Sequence, residues 1–443
     1  MKKLFGLVMI LAFIIGMTGC KATATTNAPQ ATTPPTAVPE PTKLEPVTLK
    51  LWTGFGESPA NEGFEKIIKG FTEKFPNVTI TREVMDAQSM QAVAKTALAS
   101  GTGPDIIQYD TGPASAGVLA NAGLLLPLDD YYNQYKWDDR IFTWTKARTT
   151  FDGKVYGIGT ELEFYGTYYN INLFDKLGLS VPKTYDDLLA LCQKGKDAGI
   201  IPIAFGDGDQ WPAFHMFSLV TNNLIGVDGI NNILHGDGRW DTPEITKAIQ
   251  LFFVDMNKAG CFIPDVNSVS YDDANGLFYS GKALMLMTGS WIIFEIASNV
   301  TDFNTGWFYF PSIEGKPIYP PAGLGSGFFI TAKTPHPKES AAFLDYLFSQ
   351  ESAKIWLEEL GGVPPIKVDT TNLTLTPLMK FAVQALQTQV MGLSIDVLVP
   401  LNFQNVMLDG FQAVLLGEKT PEQQAADLEK AWEDAKAAGD VLK

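Results

Sequence analysis

The sequence predicts an α/β protein built from more than one folded region. Two observations carry that expectation. Strand-like alternation and helical periodicity keep trading places along the chain, and 443 residues exceed the roughly 250–300 that one hydrophobic core accommodates. With 46% hydrophobic and 19% charged residues, the chain also has the composition of an ordinary globular protein.

The elements follow in order. Val47-Thr48-Leu49-Lys50-Leu51 has the two-residue period of a strand. The next segment carries Phe64, Ile67, Ile68, Phe71 and Phe75 on one helical face. Pro76-Asn77 ends it, and 78–84 reads as a second strand. Met90, Val93, Ala97 and Leu98 mark another helix, stopped at Gly101-Thr102-Gly103-Pro104, before a short strand from Ile106 to Tyr109. This β-α-β-α-β order predicts a parallel sheet. Leu162–Tyr169 alternates, Thr184-Tyr185-Asp186-Asp187 starts a helix, and Ala283–Met287 reads as a buried strand running into Thr288-Gly289-Ser290-Trp291. Thr420-Pro421-Glu422-Gln423 supplies an N-cap, a first-turn proline and an acidic first turn. No internal repeat is visible.

The first 46 residues read differently. Lys2 and Lys3 precede an apolar run from Leu4 to Met17 and small residues before Cys20, the pattern of a secretory signal. The run is shorter than the about 20 residues of a membrane-spanning helix. Met17-Thr18-Gly19-Cys20 resembles a bacterial lipobox, with Met17 in place of the usual Leu. That resemblance implies a signal peptide over 1–19 and a lipid on Cys20 that anchors the protein to the outer face of the cell membrane. From Lys21 to Pro46 the chain is rich in Ala, Thr and Pro, too poor in large apolar residues to fold and suited to an extended tether. Residues 20–46 are therefore read as lipidated cysteine and linker.

Charge and motifs exclude several classes. A formal charge of −16 argues against a nucleic-acid partner, which needs clustered Lys and Arg. Cys192 and Cys261 form no CxxC and either pair or remain buried thiols. There is no GxSxG, GxxxxGK[ST], HExxH or helix-opening GxGxxG, and His215, His235 and His336 have no ligand spacing. Asp207-Gly208-Asp209 resembles a fragment of a calcium loop but lacks the later acidic ligand. No metal or cofactor is expected.

Ligands of open α/β sheets bind beyond the carboxyl ends of strands. Two loops there carry acceptors: 53–57, with Gly56 and Glu57, and 110–112, opened by Asp110. Asp110 fits a site and a turn cap equally well; Asp105 reads as structural. A period of two places Glu161, Glu163 and Tyr165 on one face. Those acids suit a glycosidase pair or hydrogen bonding to sugar hydroxyls. Trp52, Trp211 and Trp291 lie beside turns at strand ends, where each serves core packing or the flat face of a pyranose ring.

Several segments resemble the extracellular solute-binding proteins of the large sugar-binding family that includes maltodextrin-binding protein. They are 47–52, 71–78, 100–107, 122–128, Tyr168-Tyr169-Asn170, 278–283, Gly289-Ser290-Trp291 and 323–328. The resemblance implies the two-lobed periplasmic-binding-protein fold (type II), with hinge-linked lobes around a central ligand cleft. Lobe 1 would comprise 47–160 and 327–368, and lobe 2 161–322 and 372–443. Hinges would lie near 159–161, 322–326 and 369–371. The implied protein is the substrate-binding lipoprotein of a sugar ABC transporter, a monomer that gives a carbohydrate to the permease subunits. Carried over by position, its ligand-binding residues would be Gly56, Glu57, Tyr109, Asp110, Glu163, Asp209, Trp211, Trp291, Gly325, Ser326, Phe403 and Gln404. Competing readings are a binder of a polyol phosphate or a metal ion, for which Tyr168-Tyr169 is the candidate pair, and a lipid-anchored glycosidase.

Overall fold

The first strand keeps the alternation of its sequence: in β1 (Val47–Thr53), Leu49, Leu51 and Thr53 are buried while Thr48 and Lys50 face water. The structure is a computed structural model that describes residues 44–56, 60–388, 390–439 and 441. Helices Ala60–Lys74 and Ala87–Ser100 alternate with β2 (Val78–Val84) and β3 (Ile106–Asp110). β1 runs parallel to both strands, pairing Val47 with Val78 and Leu51 with Ile106. The expected β-α-β-α-β unit is present. Its second helix is turned relative to expectation: Met90, Ala94 and Leu98 are buried, whereas Val93 is 43% exposed.

After β4 (Gly157–Gly159) the chain leaves this sheet to build another from β5 (Glu163–Asn170), β6 (Ile201–Ala204), β7 (Ala283–Gly289), β8 (Thr305–Phe308) and β9 (Pro321–Gly323). It returns to the first sheet with β10 (Ser326–Ile330) and ends strand-building in the second with β11 (Gly392–Leu393). The orders are β2-β1-β3-β10-β4 and β11-β9-β5-β7-β6, with β8 also pairing β5. β10 is antiparallel to β3, setting Ser326 opposite Asp110. Each sheet has its own core, as the chain length requires. Phe64, Phe71, Phe328 and Trp356 fill the first, and Phe217, Trp240, Met285 and Trp432 the second. Even so, Glu45–Lys443 holds together as one compact body.

β5 departs from its alternating sequence. It is central in its sheet and buried on both faces except at Tyr169, because the polar positions of the alternation pack or hydrogen-bond inside. Helix starts behave as read: Thr184 with Asp187, and Thr420 with Gln423, form complete capping boxes. Asp105 is structural, its carboxylate accepting from the Lys50 N–H at 2.7 Å. Cys192 and Cys261 resolve to a disulfide with Cα atoms 5.0 Å apart, tying helix Tyr185–Asp197 to the segment whose carbonyl at Cys261 accepts from Ile203 of β6 at 2.9 Å. Among the described residues, no helix is long and apolar enough to cross a membrane.

Candidate functional site

The second sheet contributes a wall of rings. Helix Pro212–His235 begins immediately after Trp211 and puts His215 one turn further along the same face. β7 ends at Gly289 and delivers Trp291. The His215 ring lies 4.2 Å from that of Tyr165, 5.2 Å from Trp211 and 5.2 Å from Trp291. Trp211 packs on Tyr271 with centroids 4.4 Å apart, and the Trp291 Nε1–H donates to Tyr271 Oη at 2.9 Å. Both tryptophans stay half-buried, so each keeps ring surface for a ligand. Asp209 braces this wall: its Oδ2 accepts from the Tyr271 N–H at 2.8 Å.

Opposite charges are scarce in the neighbouring cluster of acids. Glu163, at the head of β5, accepts from the Gly325 N–H at 3.1 Å. A side chain on residue 325 would meet that carboxylate and push it from its place. Asp110, at the end of β3, accepts from the Gln91 side-chain amide. Asp396 accepts from Ser394 Oγ, which also hydrogen-bonds the Tyr165 hydroxyl, and lies 3.8 Å from His215 Nε2. Burial, and then repulsion from Glu161, Asp396 and Asp110, pushes the Glu163 carboxyl well above the usual range. Burial raises Glu161 to about 7. Asp110 rises to about 6 through burial, with the Asp396 charge adding to it. His215 is held neutral by burial, which outweighs the pull of Asp396. The result is a set of poorly solvated acceptors beside flat apolar rings, suited to donors such as hydroxyl groups.

The residues expected from sequence divide into groups. Asp110, Glu163, Trp211, Trp291, Gly325 and Ser326 converge on this region, with Asp209 behind the rings. Gly56 is exposed on the loop after β1, and Glu57 and Cys20 lie outside the described residues. Tyr109 points to the other face of β3 from Asp110 and joins the apolar cluster of Met90, Leu98 and Phe329. Phe403 is corrected: it is fully buried between Trp240 and Trp432, 5.0 and 5.8 Å away, and forms core, not a cleft wall. Gln404 donates to the Asp396 carbonyl at 2.6 Å and so positions the acid. His215, Tyr271, Ser394 and Asp396 were missed. His215 alone had a usable signal, four residues after Trp211 on a helix.

A family profile described as bacterial extracellular solute-binding protein matches residues 56–354. The chain belongs to that family. The solute-binding protein is 26% identical over 379 residues to an uncharacterized ABC transporter extracellular-binding protein of Pyrococcus horikoshii, covering 83% of this chain and 81% of the relative. It is 27% identical over 364 residues to the multiple sugar-binding protein of Streptococcus mutans, covering 77% and 80%. A solved chitin oligosaccharide binding protein superimposes with a TM-score of 0.79 at 26% identity, over 88% of this chain and 99% of that one. The fold is thus the two-lobed periplasmic-binding-protein fold.

Members of this family bind a solute and do not transform it, so the glycosidase reading falls. Tyr168 is unsuited to metal ligation: it is fully buried, with its hydroxyl donating to the Gly289 carbonyl at 3.1 Å. Asp207 and Asp209 accept from the Ala213 and Tyr271 N–H groups at 2.9 and 2.8 Å.

Proposed function

We propose that this solute-binding protein takes up a carbohydrate, an oligosaccharide of neutral sugars, and presents it to the permease of an ABC importer. The observation that carries the reading is the convergence of Trp211, Trp291 and His215 beside the buried acceptors Glu163 and Asp396 and the half-buried Asp110. Rings stack on the apolar face of a pyranose while acceptors take its hydroxyls. The sugar-binding names of the Streptococcus mutans relative and of the chitin oligosaccharide binder support the same class. Lobes of 47–160 with 327–368 and of 161–322 with 372–443 close on the sugar about hinges near 159–161, 322–326 and 369–371. A lipid on Cys20 and the linker to residue 46 hold the monomer at the outer face of the cell membrane. Cys20→Ser is expected to release the protein into the medium.

Calorimetry with a panel of neutral oligosaccharides tests the binding. At least one is expected to bind at micromolar affinity, about −8 kcal/mol. Trp291→Ala is expected to weaken that sugar by tenfold or more, as for buried aromatic anchors. Silence across the panel, or unchanged affinity in the variant, rejects the assignment.

A further inference from the structure

A cavity of about 530 Å³ is lined by Leu162, Val363, Ile366, Val383, Met391 and Leu393 together with Arg148, and none of the rings of the candidate site lines it. Its volume falls within the roughly 300–1,000 Å³ of small-ligand sites. Its chemistry differs from that of the sugar site. Among the described residues, Arg148 is its one ionisable lining residue, and no carboxylate lines it. The strand β11 and the segment after it separate the two places, since Leu393 lines the cavity whereas Ser394 bonds Tyr165.

Arg148 is underused. A guanidinium offers five N–H donors; here Nη1 donates to the Val397 carbonyl at 3.3 Å, and among the described residues no carboxylate stands within ion-pair distance of it. Burial lowers its pKa to about 10, only partly opposed by Asp396 and Tyr165. A partly buried cation at the edge of an apolar cavity complements an anion carrying an apolar body. The lining has too few acceptors for a polyol.

We propose that this cavity binds a small amphiphilic anion, a monocarboxylate with an unbranched aliphatic tail, its carboxylate on Arg148 and its tail against Val383, Met391 and Leu393. The test titrates the full chain, without sugar, with octanoate, octan-1-ol and acetate by calorimetry. Octanoate is expected to bind at least about tenfold more tightly than octan-1-ol, and acetate to give no heat. Arg148→Met should bring octanoate down to the level of the alcohol, and Val383→Trp should abolish both. Wild-type protein labelled with ¹³C at the methionine methyls gives a readout that needs no packing change: the Met391 resonance, assigned through Met391→Leu, should shift with octanoate. No octanoate binding, equal binding of the alcohol, binding that survives Val383→Trp, or an unmoved Met391 methyl overturns the proposal.

Discussion

Asp110 shows how single residues of the site trade stability for acceptor strength. Its carboxyl is raised from an ordinary 3.8 to about 6, mainly by burial, with Gln91 opposing and Asp396 adding. Between those values the folded chain holds a proton that the unfolded chain releases. The stability this group allows is therefore fully present only below about 3.8 and is lost as pH climbs from there through about 6. His215 works in reverse, because burial opposes its protonation, so the clean comparison is between wild type and Asp110→Asn. The variant keeps an acceptor for Gln91 and should be more stable at pH 7.5 by about 1–3 kcal/mol, the gain vanishing below about pH 3. Urea unfolding at the two pH values measures it; an equal gain at both would refute the linkage. At this scale the sequence revealed residues at strand ends, Asp110, Glu163, Trp211 and Trp291, because strand and loop periodicity locate them. Asp396 was invisible, since only the return of the chain after residue 390 brings it beside His215. Phe403 misled because it was carried over by position from the resemblance, and position alone gives no sign of which side its core lies on.

Among elements, those with strong local signals were legible and those defined by tertiary surroundings were not. Two capping boxes and the β1–β3 unit follow from local chemistry. The double-sided burial of β5 does not, because an alternating sequence carries no record of a second layer. The Cys192–Cys261 bond belongs to this level: 69 residues of separation left pairing open, and the fold closes it. Both cysteines are fully buried, in the core that supports Phe205, Phe217 and the start of helix Pro212–His235. Closing a loop of that length restricts the unfolded chain by about 4 kcal/mol in the entropic account. The double variant Cys192→Ser, Cys261→Ser is expected to lose about 2–4 kcal/mol in denaturant unfolding. Wild type under reductant should approach the same value, and a loss below 1 kcal/mol would remove the bond from the stabilising interactions.

For the whole molecule, the decisive feature is where the two sheets exchange contacts. Thr111 donates its N–H to the Gly325 carbonyl at 2.8 Å, while Arg148 donates to Val397. Between them Gly112 adopts φ +86 with its α-carbon turned toward the Val397 carbonyl, and a side chain there would lie 2.6 Å from that oxygen. No L-residue is comfortable at that φ, and no side chain fits. The loop after β3 and the segment after β11 therefore meet backbone to backbone, in an arrangement that tolerates no inserted atom. On the reading proposed above, in which the lobes close on a sugar, this contact is the seat at which closure ends, since closure stops where packed surfaces meet. Gly112→Val is expected to hold the halves apart: sugar affinity should fall at least tenfold (about 1.4 kcal/mol), and the contraction seen on adding sugar to wild type by small-angle X-ray scattering should disappear. Trp291→Ala, by contrast, should weaken binding yet still contract at saturating sugar, because it removes a ligand contact and leaves the seat intact. If Gly112→Val contracts like wild type, closure does not pass through this contact, and the lobes stop against some other pair of surfaces.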